Sequence, residues 1–260
     1  MGVLEQFRLD DRVAVVTGGA RGLGRQHALA LAEAGAAVAI CDLLDVEGEK
    51  TRRELSTLGR PSFYARADVT SGEQLDAFVQ EVMRRYGRID VLVNNAAMPS
   101  EGVPLSEVSD ELWRKIVDTN LSSMFFVGKR VAACMIAAGG GSIIYIGSIN
   151  SYVISNILPR HNVTYCVAKA GVAQLTRGMA AEWAGKGIRV NALAPGYILT
   201  DQTAASARIP EVYERNVANT PMGRYGRLDE LKGALVFLAS DASSFMTGGV
   251  LTIDGGYTIW

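Results

Sequence analysis

Seven short apolar runs, separated by stretches with helical periodicity, constrain this chain more than any single motif does. RVAVVT (12–17), AAVAIC (36–41), a run near 62–66, IDVLVN (89–94), SIIYIGS (142–148), IRVNALA (188–194) and GVLTID (249–254) read as strands. Between them lie the Ala/Leu-rich LGRQHALALAEAG (23–35), a charged helix near 46–58 and another near 72–86. A long helical region follows at roughly 107–138, then one over about 163–185, and finally LDELKGALVFLAS (228–240). Continuous apolar strands joined by helices of this length pair in parallel and need cover on both faces, so an α/β fold is expected. No composition break marks a linker, and 260 residues suffice for one sizeable core, so one domain over 1–260 is expected. The segment 197–227 is polar and weakly patterned, and reads as an irregular lid or binding loop.

Composition removes several function classes. With 26 basic and 27 acidic residues and a formal charge of -1, the chain offers no electrostatic reason to bind nucleic acid or an anionic membrane. The apolar stretch AACMIAAGGGSIIYIGSI is broken by three glycines, so no membrane span is expected. The start, MGVLEQFRLDDRV, carries no export pattern, and cytoplasm is the expected location. Three widely spaced cysteines without a CxxC pair read as reduced thiols. His27 and His161 lack partners at metal-ligand spacing, so no metal is expected.

The first strand runs into TGGARGLG, where Gly18, Gly22 and Gly24 lead directly into a helix. Glycines there allow a sharp turn and close approach to a pyrophosphate, whose charge the first helical amides would stabilise. The spacing is GxxxGxG, and its position at the first strand-to-helix junction gives it weight. Asp42 ends the second strand, at the distance where a carboxylate meets the adenosine ribose and repels a 2′-phosphate. It reads equally as a turn aspartate in CDLLD. Arg21, in the loop, could pair with a 2′-phosphate instead. Asp42 is weighted more heavily, which favours NAD.

These residues, with Asn94-Asn95-Ala96, Ser148, Tyr165-x-x-x-Lys169 and Pro195-Gly196, make the chain resemble a short-chain dehydrogenase/reductase over essentially its whole length. The resemblance implies a single-domain, doubly wound Rossmann fold with a seven-stranded parallel sheet, usually in a homotetramer. It implies a small-molecule substrate, interconversion of alcohol and carbonyl with a nicotinamide cofactor, and no catalytic metal. The family's catalytic set falls on Asn120, Ser148, Tyr165 and Lys169. Its cofactor contacts fall on Gly18, Arg21, Gly22, Leu23, Gly24, Asp42, Asp68, Val69, Asn94 and Ala96, on Tyr165 and Lys169, and on Pro195, Gly196, Ile198 and Thr200. Ala97 stands where the family usually has glycine.

In that frame Tyr165 is the acid/base. A free tyrosine has a pKa of about 10, so it needs nearby positive charge from Lys169, one turn on, and from the oxidised nicotinamide. Ser148 would hydrogen-bond the substrate oxygen, and Asn120 would hold a water relaying protons from Lys169. Each has a plainer alternative: Ser148 capping a strand end, Asn120 satisfying backbone groups, Lys169 snorkelling. The substrate side is expected from Ala96 to Ser100, Asn150 to His161 and the 197–227 segment. Asn150, Arg160, His161 and Tyr197 join Ser148 and Tyr165 as contacts, although a solvated loop explains the polar ones too.

TPMGRYGRLDEL and FMTGGVLTIDGGYTIW are similar to family members that oxidise polyols and sugars, galactitol dehydrogenases among them. A secondary alcohol of a polyol, sugar or related hydroxy compound is the leading substrate. An NADPH-dependent 3-oxoacyl-carrier-protein reductase is the enzymatic alternative, and a non-catalytic dinucleotide-binding sensor or scaffold is the alternative of another class.

Overall fold

The computed structural model describes residues 2–99, 103–154 and 162–260, without the side chains of Asp201, Gln202 and Ala205. Its frame is a parallel sheet of β1 (Val13–Thr17), β2 (Ala37–Asp42), β3 (Ser62–Arg66), β4 (Val91–Asn94), β5 (Gly141–Ile146), β6 (Ile188–Pro195) and β7 (Val250–Ile253). The strand order is β3-β2-β1-β4-β5-β6-β7. Every pairing is parallel, and the register fits the apolar runs, with Val15 opposite both Ala39 and Leu92. The chain reverses its direction of winding between β1 and β4. The carboxyl ends of those strands therefore splay apart and leave a crevice, the usual ligand position in open α/β sheets.

Helices α1 (Gly22–Glu33), α2 (Asp45–Thr57), α3 (Gly72–Tyr86), α4 (Asp110–Val117), α5 (Ser123–Ala138), α6 (Val163–Trp183) and α9 (Lys232–Ala239) cover the sheet. One face buries Leu75, Phe78, Val127, Val131 and Val172 against Val15, Leu92 and Ile143. The other buries Ala28, Leu31, Leu235 and Leu238 against Val16, Val93 and Ile144. Asp90 ties the sheet's lower edge: its carboxylate accepts from the Val13 amide at 2.9 Å and pairs with Arg88. The continuous stretch Asp110–Ala138 is long and apolar enough to cross a membrane by length and composition alone. Met124, Val127, Val131, Ala132 and Met135 from it are instead core residues under the sheet.

Two expectations change. The helical region at 107–138 contains a π-turn at Asp118–Ser122, which joins α4 to α5 and carries Asn120. The segment expected to be irregular contains two helices, α7 (Asp201–Ala207) and α8 (Pro210–Ala218). Local signals for both were present. Thr200 and Thr203 form a reciprocal capping box at the start of α7, and Pro210 occupies the first turn of α8, where its missing amide costs nothing. The weak apolar periodicity of such short helices hid them.

Candidate active site

Backbone geometry builds one end of the crevice. After β1 the chain turns through Gly18 (φ +63°) and Gly22 (φ +55°), both in the left-handed region that disfavours side chains. A Cβ added at Gly24 would overlap the Gly18 carbonyl oxygen, whereas one at Gly22 would meet only open space. The Asn95 side chain holds this turn, donating to the carbonyl oxygens of Thr17 and Gly18 at 3.0 and 3.1 Å. The Thr17 hydroxyl accepts from the amides of Asn95 and Ala96 and donates to the Asn94 side chain at 3.1 Å. The first turn of α1, with Gly22, Leu23 and Gly24, faces a cleft of about 940 Å³. Amides so placed suit an anionic diphosphate.

Asp42 lines the same cleft at the end of β2. Its carboxylate accepts from the amides of Ala20, Leu43 and Leu44 at 3.0, 2.7 and 3.2 Å, so it is a turn aspartate and a cleft residue at once. Arg21 is exposed at the rim and, among the described residues, forms no ion pair. Asp68 and Val69 form a further wall. The Asp68 carboxylate is held by the amide and hydroxyl of Thr70 at 2.8 and 2.7 Å.

The other end gathers titratable groups. Ser148, just past β5, and Tyr165 and Lys169, one turn apart on α6, line the cleft with Ala96 on one side and Pro195, Gly196, Ile198 and Thr200 on the other. The Lys169 ammonium is buried and donates to the Ile146 carbonyl at 2.8 Å, and burial lowers its pKa to about 8. It lies 5.5 Å from the centroid of the Tyr165 ring. Burial pushes the Tyr165 phenol up to about 12, against a hydrogen bond from Ser148 that pulls it down. Without a bound cofactor, burial outweighs this polar contact. Cys166, between them in sequence, is buried in the core.

Four predicted residues lie outside the cleft lining. Asn120 is fully buried and does not line the cleft; its amide oxygen accepts from the Met98 amide at 2.8 Å and its nitrogen donates to the Met98 carbonyl at 3.0 Å. It thus satisfies backbone groups of Met98. Asn94 is likewise fully buried, bound to Thr17 and to the Met124 carbonyl, while its neighbour Asn95 reaches the cleft. Tyr197 turns its ring to Tyr225 and Tyr257. Asn150 sits in the short turn after Ser148, its amide donating to the Ser148 hydroxyl at 3.2 Å. Arg160 and His161 lie outside the described residues. Lys115 and Thr119, four apart on the helix leading to Asn120, line the cleft and were missed. Their spacing was the available signal.

The family description "Enoyl-(Acyl carrier protein) reductase" matches residues 18–258. The chain belongs to the short-chain dehydrogenase/reductase family. As a short-chain dehydrogenase/reductase it is an oxidoreductase that transfers hydride between a nicotinamide dinucleotide and hydroxy compounds. It is similar to 2-dehydro-3-deoxy-D-gluconate 5-dehydrogenase of Pseudoalteromonas atlantica, 40% identical over 98% of this chain and 99% of that one. Galactitol 2-dehydrogenase (L-tagatose-forming) of Cereibacter sphaeroides is 39% identical over 98% of each. A gluconate 5-dehydrogenase from Burkholderia cenocepacia, in complex with NADP and tartrate, superposes with a TM-score of 0.94 at 39% identity over all of both chains.

In this short-chain dehydrogenase/reductase the open Gly22 cradle and the first turn of α1 suit the diphosphate of a dinucleotide. Among the described residues no group of three His, Cys, Asp or Glu side chains is placed to hold a metal.

Proposed function

We propose that this short-chain dehydrogenase/reductase oxidises a secondary alcohol of a polyol, sugar or related hydroxy compound, with NAD as its preferred cofactor and Tyr165 as acid/base. The observation that carries the reading is the hydrogen-bonded Ser148–Tyr165 pair beside buried Lys169, at the opposite end of the cleft from the glycine turn. Gly18, Arg21, Gly22, Leu23 and Gly24 would hold the diphosphate end, with Asp42, Asp68 and Val69 at the adenosine. Ala96, Pro195, Gly196, Ile198 and Thr200 would hold the nicotinamide half, and the oxidised ring, when bound, accepts hydride from the carbinol carbon.

The chain's own residues then handle the proton. Ser148 hydrogen-bonds the substrate oxygen and keeps it beside the Tyr165 hydroxyl. In the oxidising direction the alcohol proton passes to the Tyr165 phenolate; in reduction the phenol returns it to the forming alkoxide. A phenol pushed up to about 12 is poised as the acid. The phenolate needs added positive charge, which protonated Lys169 and the oxidised cofactor supply together. Asn120 acts through Met98, fixing the wall next to Ala96 and Ala97.

The sugar-acid and polyol names of the relatives support the substrate class. Asp42 supports NAD, because its carboxylate is fixed by three amides at the place a 2′-phosphate would enter. Arg21 and the NADP of the Burkholderia complex argue the other way. A screen of galactitol, gluconate and simple secondary alcohols with NAD and NADP in parallel tests the reading. Faster turnover with NAD on the polyhydroxy compounds is expected, and in Asp42→Ser the NAD preference should fall by about tenfold, roughly 1.4 kcal/mol. Turnover with NADP alone, or with no alcohol, sinks it. Phe125, Phe126, Ile136 and Val167 are half-exposed on α5 and α6 and support the homotetramer, which light scattering would reveal as a mass four times that of one chain.

A further inference from the structure

A stack of tyrosines joins the 197–227 segment to the C-terminal segment. Tyr213 of α8 lies parallel on Tyr225, with centroids 5.2 Å apart and planes inclined by 4°. Tyr225 leans on Tyr197 at 5.7 Å, and Tyr197 meets Tyr257 edge-on at 5.2 Å and 73°. These spacings fall in the range where aromatic pairs attract beyond simple burial. Tyr225 is buried, and the Asn216 side chain of α8 donates to its hydroxyl at 2.7 Å. The stack therefore runs from α8 to the C-terminal segment.

The same segment is wedged into the base of the lid. Residues 199–225 leave and return through a bridge at Ile198 and Gly226, with the Gly226 amide donating to the Tyr197 carbonyl and the Leu199 amide to the Gly226 carbonyl, both at 2.9 Å. The Gly196 amide donates to the Ile253 carbonyl at 2.9 Å, and the Met222 amide to the Gly255 carbonyl at 3.1 Å. One strap from Ile253 to Tyr257 thus contacts both the start and the end of the lid. The Asp254 carboxylate shapes it, accepting from the amides of Gly256 and Thr258 and from the Thr258 hydroxyl at 2.7–2.9 Å. Thr200 and Thr203, at the start of α7 in this lid, line the cleft.

We infer that Tyr257 is a positioning residue for the substrate lid. Through Tyr197 and Tyr225 it holds α8, and with it the α7 residues that wall the cleft, so the C-terminal segment sets how tightly substrate is enclosed. This rests on reading 197–227 as the substrate side. It assigns Tyr197 to the lid's support rather than to substrate contact. The edge-on contact uses the ring of Tyr257, so its hydroxyl is dispensable.

Hydrogen exchange of the intact protein tests this without needing a substrate. Tyr257→Leu should raise exchange of amides in 201–218 by about tenfold, while Tyr257→Phe keeps the wild-type rate and the β1 amides stay protected in both. Tyr213→Leu, at the exposed far end of the stack, should loosen the same amides. With galactitol or gluconate as probe, Tyr257→Leu should raise KM by about fivefold and leave kcat nearly unchanged. Unchanged lid exchange in Tyr257→Leu, equal loosening of β1, or loss of protection in Tyr257→Phe would overturn the inference. Absence of turnover on both probes counts against the proposed reaction alone, because the exchange result still decides the lid.

Discussion

The two ends of the cleft are built differently. At the glycine turn nearly every contact is made or held by backbone: the α1 amides, the amides around Asp42, and two carbonyls clamped by Asn95. At the lid end, two short helices lean on a tyrosine stack and a C-terminal strap. The first arrangement depends on sheet topology and tolerates little change. The second depends on side-chain packing and can be remodelled without disturbing the sheet. Recognition of a shared cofactor suits the first, and recognition of an individual substrate suits the second.

The sharpest way to break the contrast is at Gly24. Gly24→Val places a branched side chain against the Gly18 carbonyl and should cost about 3 kcal/mol or more of stability, with loss of dinucleotide binding. Thermal melts with and without NAD would show it. A variant that still gains stability on adding NAD would mean the turn is not the dinucleotide cradle. Ser148→Ala, beside Tyr165 at the end away from the glycine turn, should lower kcat about 100-fold while dinucleotide affinity holds. Steady-state rates with parallel fluorescence titration separate the two. Equal loss of affinity would move Ser148 from the chemistry to the cofactor.

His27 of α1 gives a smaller, pH-dependent effect. Among the described residues neither buried ring nitrogen has a hydrogen-bond partner, and burial lowers its pKa to about 3. A free histidine takes up a proton near pH 6.5. Below that pH the unfolded chain binds a proton that the folded chain refuses, so stability falls from about pH 6.5 down to about 3. The loss at pH 5 should be about 2 kcal/mol. His27→Leu should flatten this limb of a pH–stability curve measured by urea unfolding. An unchanged limb would assign the acid sensitivity to other groups.

Much of this was legible from sequence because the strands are continuous apolar runs, which buried parallel strands require, and because glycines at 18, 22 and 24 serve no purpose in a helix start without a turn. β3 and α3 fall on their predicted limits. The roles of Asn94 and Asn95 were not legible. Successive strand residues point to opposite sides, and nothing in NNAA says which one the Thr17 hydroxyl takes. The fate of Asn120 depends on a π-turn that brings it under Met98, a register shift that side-chain periodicity does not announce. The tyrosine stack assembles positions 197, 213, 225 and 257 by tertiary packing, and no local pattern relates them.

The central claim is that Tyr165 moves the proton while the backbone-built end holds the cofactor. Its most direct test is Tyr165→Phe, which removes one oxygen and leaves the ring in place. NADH formation at 340 nm should fall by about 10³-fold or more on the alcohol that wild type oxidises best. NAD affinity by titration should stay within about twofold, since the substitution removes one hydroxyl and leaves the other contacts in the cleft in place. Turnover at the wild-type rate in Tyr165→Phe would contradict the account outright.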